Sequence, residues 1–362
     1  MQYHTNFPHQ LNPGHSACAG CGLAIAARHV ADAAGKNVIM ATATGCLEVF
    51  STPYPQSSWK MPWIHSLFEN SAAVASGILA ALKKHGLASV NASVSLRGDF
   101  DGTKNNVIAR ERSDRSNDKV SSSHLGIASP SARNDNAEIK IIAQGGDGAT
   151  FDIGFGLISG MWERGENILY VCYDNEAYMN TGVQASGATP YGAATTTAPS
   201  GEMSEGNELH KKDMVAIALA HGLKYVATST CAYTLDIEQK VKRALAASGP
   251  SYLQILTVCV PGWKVDSDKT IELGKLAQQS GLYPVVEFIN GKLAKVMNYP
   301  AARPSVEKYL KIQGRYKHLF KDEAGKKVIK KIQEIADGNV EKYRNSPSEM
   351  KQAISLGKEI KK

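Results

Sequence analysis

Five short apolar runs alternate with longer stretches of helical periodicity, and this alternation restricts the fold more than any other feature. The runs are NVIMATA (37–43), IKIIAQ (139–144), ILYVCY (168–173), KYVATS (224–229) and YLQILTV (252–258). Near-continuous apolar runs of this length predict strands buried on both faces. Between and after them lie SLFENSAAVASGILAALKKHG (66–86), ATFDIGFGLISGMWERG (149–165), HKKDMVAIALAHG (210–222) and TLDIEQKVKRALAASG (234–249). Each has helical spacing and ends on a glycine stop. The first is predicted to begin at Ser66 as N-cap, with Glu69 three positions on completing a capping box. Met161 and Trp162, inside the second, are read as core. Strand–helix alternation predicts an α/β fold, a mostly parallel sheet with helices on both faces. In such a sheet the strand C-termini and the starts of the following helices share one edge, where ligands bind.

Two segments break the pattern. From about Ser89 to Glu138 the chain is polar and Ser-rich, with Arg and Asp alternating and no apolar period. It is predicted to be an exposed, disordered insertion, joining a helix end to a strand start on the edge opposite the ligand-binding one. The second is the tail after Gly262, helical in pattern and joined by Pro-containing links. The predicted organisation is therefore an α/β domain over 1–262, interrupted at 89–138, and a basic, largely helical C-terminal arm over 263–362.

The formal charge of +7 is concentrated in that arm, which carries an excess of about nine positive charges by sign count. A nucleic-acid face, a solvated helical surface and a dock for an acidic partner protein all fit such a distribution; the solvated surface is the plainest reading, and no nucleic-acid partner is expected. No run of eighteen apolar residues occurs, so no membrane span is expected. The N-terminal MQYHTNFPHQLNPGH lacks a charged start followed by an apolar core, which predicts a cytoplasmic protein without a signal peptide. The six cysteines, 18, 21, 46, 172, 231 and 259, are then read as metal ligands, catalytic groups or buried thiols rather than disulfides.

The local feature richest in chemistry is GGDGATFDIG (145–154), which follows a strand and opens a helix. Glycines let backbone approach a phosphate closely, and a helix start offers unpaired N–H groups. Asp147 adds a hard oxygen suited to Mg²⁺. Alone, such a stretch is as often a tight turn. A second segment, YDNEAYMNTG (173–182), also follows a strand. GDG followed about thirty residues later by an Asn-bearing segment resembles the thiamine diphosphate motif. By that resemblance Mg²⁺ is held by Asp147, Asn175 and the carbonyl of Ala177, and the metal clamps the diphosphate.

Cys18 and Cys21 lie in GHSACAGCG before a helical pattern, Cys46 follows the first strand, and Cys259 follows the last of the five. All four are therefore predicted at the edge that carries the GDG turn. Four thiolates there suit either zinc or an iron–sulfur cluster. Cys172, inside a strand, reads as a buried thiol and Cys231 as unligated. Glu48 and His65 are predicted near the same edge; a hydrogen-bonded structural role for His65 is as well founded as a cofactor contact. The small-residue loop from Gly182 to Gly201 could close over the site or lie passively on the surface.

The ordered set GHSACAGCG, GCLEVFSTPYP, HSLFEN, GGDGATFDIG, DNEAYMNTGVQASGATP and CVPGW closely resembles the β subunits of pyruvate:ferredoxin oxidoreductases, or pyruvate synthases. The likeness covers most of 10–88 and 139–285. It implies a [4Fe–4S] cluster on Cys18, Cys21, Cys46 and Cys259 beside thiamine diphosphate, with Cys46 also touching the cofactor. The implied cofactor-binding set is Cys46, Gly146, Asp147, Gly148, Ala149, Asn175, Ala177, Tyr178, Met179 and Asn180, with Asn180 near the substrate and the thiazolium ring. The implied reaction is oxidative decarboxylation of pyruvate with coenzyme A. The activating Glu would come from an α subunit, and γ and ferredoxin-like δ subunits would pass electrons to ferredoxin. The insertion is the main departure from the family pattern. Alternatives are another 2-oxoacid (2-oxoisovalerate, 2-oxoglutarate, oxalate), a zinc-stabilised binding module without catalysis, or a copy inactivated by the insertion.

Overall fold

The computed structural model describes residues 9–53, 56–87 and 138–344. The expected insertion lies outside the described residues except for Glu138. In chain order the elements begin with α1 (Gly22–Ala34), β1 (Val38–Thr42), α2 (Cys46–Ser51), β2 (Trp63–His65), α3 (Ser71–Lys84) and β3 (Lys140–Gly146). A π-helical turn (Gly148–Ile153) leads into α4 (Phe155–Glu163), followed by β4 (Leu169–Asp174), a short hairpin of β5 (Ser200–Gly201) and β6 (Ser204–Glu205), α5 (Met214–Ala220), β7 (Tyr225–Thr230) and α6 (Thr234–Ala246). Then come β8 (Ser251–Leu256), α7 (Val260–Trp263), α8 (Thr270–Gln279), β9 (Val286–Ile289), β10 (Lys292–Val296), α9 (Val306–Leu310) and α10 (Glu323–Arg344).

All five predicted strands form, within one eight-stranded sheet of order β10-β9-β7-β8-β4-β3-β1-β2. The pairs from β7 to β2 are parallel, while β9 and β10 are antiparallel additions. Every residue of β4, β7 and β8 is buried, and alternate residues feed opposite cores. Val171 and Tyr173 of β4 pack on one face with α1 and α6; Tyr170 and Cys172 pack on the other with α3, α4 and α5. Met161 and Trp162 are fully buried there, as expected for core.

The chain leaves β1 toward β2 on one side and leaves β3 toward β4 on the other. The loops after β1 and β3 therefore diverge, and a crevice opens between two adjacent strand ends. This is the topological switch point where open α/β sheets bind ligands.

Three local expectations are corrected. The helix predicted from Ser66 starts at Ser71 with Asn70 at its N-cap. Residues 63–65 form β2 just before that segment, and Asn70 shapes the intervening turn by accepting from the Leu67 N–H and donating to Ser66 Oγ. The helix expected from Ala149 opens as a π turn, closed by Gly154 N–H donating to the Ala149 carbonyl. A side chain at Gly154 would collide with that carbonyl at 2.3 Å and with the Glu69 carbonyl at 2.7 Å. Finally, the C-terminal region is largely helical but also contributes the β9–β10 hairpin. Asn290 and Gly291 turn it, with φ of 50° and 73°, the Asn-Gly pairing that matches hairpin twist. Among the described residues no helix is long and apolar enough to cross a membrane.

Candidate functional site

The crevice is floored by the β3 end. Gly146 leaves open space, since a side chain there would meet nothing nearer than the Tyr173 carbonyl at 4.0 Å. Gly148 is tight instead, because a Cβ would stand 2.2 Å from the Tyr178 ring. The two glycines thus do different things: one opens the floor, the other lets Tyr178 lie flat on the turn. Thr150 Oγ1 donates to the Gly146 carbonyl at 2.7 Å and steadies the turn.

Asp147 is 1% exposed. Its carboxylate accepts from Ser186 Oγ at 2.5 Å and from the Asn175 N–H at 3.3 Å. Burial, then the nearby Asp174 charge, push its pKa well above the ordinary carboxylate value, against the Ser186 hydrogen bond and Lys211. The Asn175 amide oxygen lies 2.8 Å from Asp147 Oδ1 and 2.7 Å from the Ala177 carbonyl oxygen. Three oxygens facing one another repel. Either the amide turns to present its N–H groups to both partners, or a cation sits among them. Adjacent oxygens around octahedral Mg²⁺ stand about 2.9 Å apart, from bonds of about 2.0–2.1 Å. A carboxylate, an amide and a backbone carbonyl are the hard donors that ion takes, so the predicted set fits Mg²⁺.

The four predicted cysteines come together. Cys21 precedes α1, Cys46 opens α2 and Cys259 precedes α7, while Cys18 lies in the turn before Cys21, whose N–H it accepts at 3.1 Å. All four line one cavity of about 280 Å³. Burial, then the mutual repulsion of Cys259, Cys21 and Cys18, lifts the Cys46 thiol to about 12. Burial likewise lifts Cys259 to about 11, eased by a hydrogen bond from the Gly262 backbone. Among the described residues no three His, Cys, Asp or Glu side chains converge tightly enough for a single metal ion. Thiols gathered around one cavity from three separate turns are ligands for either zinc or an iron–sulfur cluster. All six cysteines are free, with Cys172 and Cys231 buried.

The crevice and the cysteine cavity adjoin. Leu23, Cys46, Asn175, Met179 and Asn180 line both, and Gly146–Ala149, Ala177 and Tyr178 line the crevice alone. Asn180 is exposed at the junction. Glu48 and His65 line neither; His65 Nε2 pairs with Thr44 Oγ1 at 2.8 Å, and Glu48 accepts from Thr52.

Several residues that serve the site escaped the sequence reading. Ser186 belongs to the Gly182–Gly201 loop, which is pinned to the crevice rather than lying passively. Asp152 accepts from the Gly187 N–H at 2.9 Å and from the Tyr178 hydroxyl at 3.1 Å, tying loop, ring and turn together. Glu176 and Arg315 form a buried ion pair at 2.6 Å across 139 positions, a separation no local pattern reveals.

Residues 120–255 match the family described as thiamine pyrophosphate enzyme, C-terminal TPP binding domain. The chain is 46% identical to the pyruvate synthase subunit PorB of Methanocaldococcus jannaschii, over 90% of this chain and 93% of that one. It is 44% identical to the Methanosarcina barkeri PorB subunit, over 92% and 96%. It is 36% identical to the ketoisovalerate oxidoreductase subunit VorB of Pyrococcus furiosus, over 88% of each. The chain belongs to the pyruvate synthase β-subunit family of 2-oxoacid:ferredoxin oxidoreductases. Within it the domain match spans Asp147 and Asn175–Asn180 but excludes Cys18, Cys21, Cys46 and Cys259. The matched residues thus include the Gly146–Ala149 turn of the crevice, and the four cysteines come from chain on either side of the match.

Proposed function

We propose that this chain is the β subunit of a cytoplasmic pyruvate:ferredoxin oxidoreductase. The assembly would convert pyruvate and coenzyme A to acetyl-CoA and CO₂, or run the reverse, exchanging electrons with ferredoxin. The observation that carries this reading is the wall shared by the two cavities, with Cys46 and Asn180 on both. Thiamine diphosphate, when bound, supplies the electron sink for loss of CO₂. Asp147, the Asn175 amide oxygen and the Ala177 carbonyl would hold its Mg²⁺, and the turn from Gly146 to Ala149 would receive the diphosphate. Cys18, Cys21, Cys46 and Cys259 would hold a [4Fe–4S] cluster, a one-electron acceptor. Met179 and Asn180 shape the passage between the two, with Asn180 positioned to meet the substrate.

Asp147 is the sole carboxylate lining the crevice among the described residues, and it is committed to the metal set. The carboxylate that activates the cofactor must then come from elsewhere, which supports an α subunit acting in trans, with γ and δ subunits completing the electron path. Ketoisovalerate is the second reading, since a relative named for it is 36% identical. Turnover by the anaerobically purified assembly of pyruvate, 2-oxoisovalerate, 2-oxoglutarate and oxalate tests the substrate. Pyruvate is expected to give the highest kcat/KM; a higher value on 2-oxoisovalerate would move the chain to that activity. Full-rate turnover by the isolated chain with an artificial acceptor would exclude the trans carboxylate.

A further inference from the structure

Asn175 and Ala177 flank Glu176, which adopts a φ of 71°. This is left-handed backbone that a β-carbon disfavours. That reversal is what brings an amide oxygen and a carbonyl two residues apart onto one point. Something must hold it, and the structure restrains Asn175 and Glu176 in turn. The Asn175 carbonyl accepts from Trp263 Nε1 at 2.8 Å, and the Glu176 carbonyl from Thr189 Oγ1 at 2.8 Å. The Glu176 carboxylate, itself buried, is held by Lys211 at 3.0 Å and by Arg315 at 2.6 Å. Arg315 is locked in turn: its Nε donates to Gln313 at 2.9 Å, and its guanidinium lies 3.9 Å from the centroid of the Trp263 ring. Lys211 also pairs with Asp174 at 2.6 Å, so two cations balance the two carboxylates behind the turn.

We propose that Glu176, clamped by Lys211 and Arg315, is a positioning residue for the metal ion, and that Arg315 makes the ion's site depend on the C-terminal region. The inference rests on the Mg²⁺ assignment above. Glu176 does not touch the ion. Its carboxylate is turned away from the crevice, and its grip fixes the backbone whose neighbours supply two of the three ligands. A residue in this position acts like the outer hydrogen-bond partners of a metal ligand.

The test measures Mn²⁺ binding by EPR, with and without thiamine diphosphate, on the full chain in its assembly. The variants are Arg315→Met, which removes the clamp, and Glu176→Gly, which suits left-handed backbone and keeps the fold available should Arg315→Met fail to fold. Arg243→Met is the control, because Arg243 pairs with buried Glu287 far along the sheet edge and reports general destabilisation. Both clamp variants are expected to weaken Mn²⁺ binding about 10–100-fold, as loss of an outer partner does. Arg243→Met is expected to lower the melting temperature while leaving Mn²⁺ affinity unchanged. Clamp variants binding Mn²⁺ less than about tenfold more weakly than wild type, below the range for a positioning role, would overturn the inference. Wild-type protein binding no Mn²⁺ would overturn the metal assignment and the inference with it.

Discussion

The two halves of the site are built differently. The proposed metal set is deeply buried, with Asp147 1%, Asn175 7% and Ala177 3% exposed. Its ligands follow β3 and β4, adjacent parallel strands in which Gly146 pairs with Tyr173, so strand spacing sets their separation. Ser186, Thr189 and Trp263 hold the surrounding groups in place. The cysteine cavity rests on turns before α1, α2 and α7, and Cys18 is exposed. One half is pre-organised by a sheet. The other is a set of turns whose thiols hold their protons, with Cys46 raised to about 12 and Cys259 to about 11, until a positive group displaces them.

That contrast predicts separable failures. Cys46→Ala should abolish ferredoxin reduction and cluster iron while leaving thiamine diphosphate binding measurable by calorimetry; loss of both together would merge the two halves. Asp147→Ala should weaken thiamine diphosphate binding at saturating Mg²⁺ by at least about a hundredfold, since loss of even an outer partner of a metal ligand costs about 10–100-fold, with cluster iron retained. Ser186→Ala removes a partner of that carboxylate and should weaken Mn²⁺ binding about tenfold, with iron content again unchanged. The smallest effect concerns metal-free protein. Raising the Cys259 thiol from the ordinary 9.0 to about 11 makes its thiolate fraction at pH 8 roughly a hundredfold smaller. Iodoacetamide should therefore label exposed Cys18 before half-buried Cys259 and Cys46, with the lag shrinking as pH rises. Equal labelling rates of Cys18, Cys46 and Cys259 at pH 8, read by mass spectrometry, would contradict the half-buried placement of Cys46 and Cys259.

The difference in construction also explains what could be read from the residues in advance. Apolar runs report burial directly, so the five central strands were legible. The GDG and DNE segments follow strands, and a parallel sheet brings strand ends to one edge, so Asp147, Asn175 and the four cysteines could be placed together without coordinates. Strand order could not, because it depends on which helices pack where. Nor could α2, six residues long, or the π turn after Asp147, which depends on a close approach to Glu69. The β9–β10 hairpin was within reach, since FINGKL carries an Asn-Gly turn signal. Arg315, Lys211 and Ser186 were not, because their meaning comes from partners 139, 35 and 39 positions away.

The claim that most needs testing is that the four thiols hold an electron acceptor beside the cofactor. Iron, acid-labile sulfide and zinc should be measured on the full chain produced anaerobically, with EPR after reduction. Brown protein is expected, with about four iron and four sulfide per chain, as a [4Fe–4S] cluster requires, a reducible signal and no zinc. Colourless protein with one zinc per chain would contradict it.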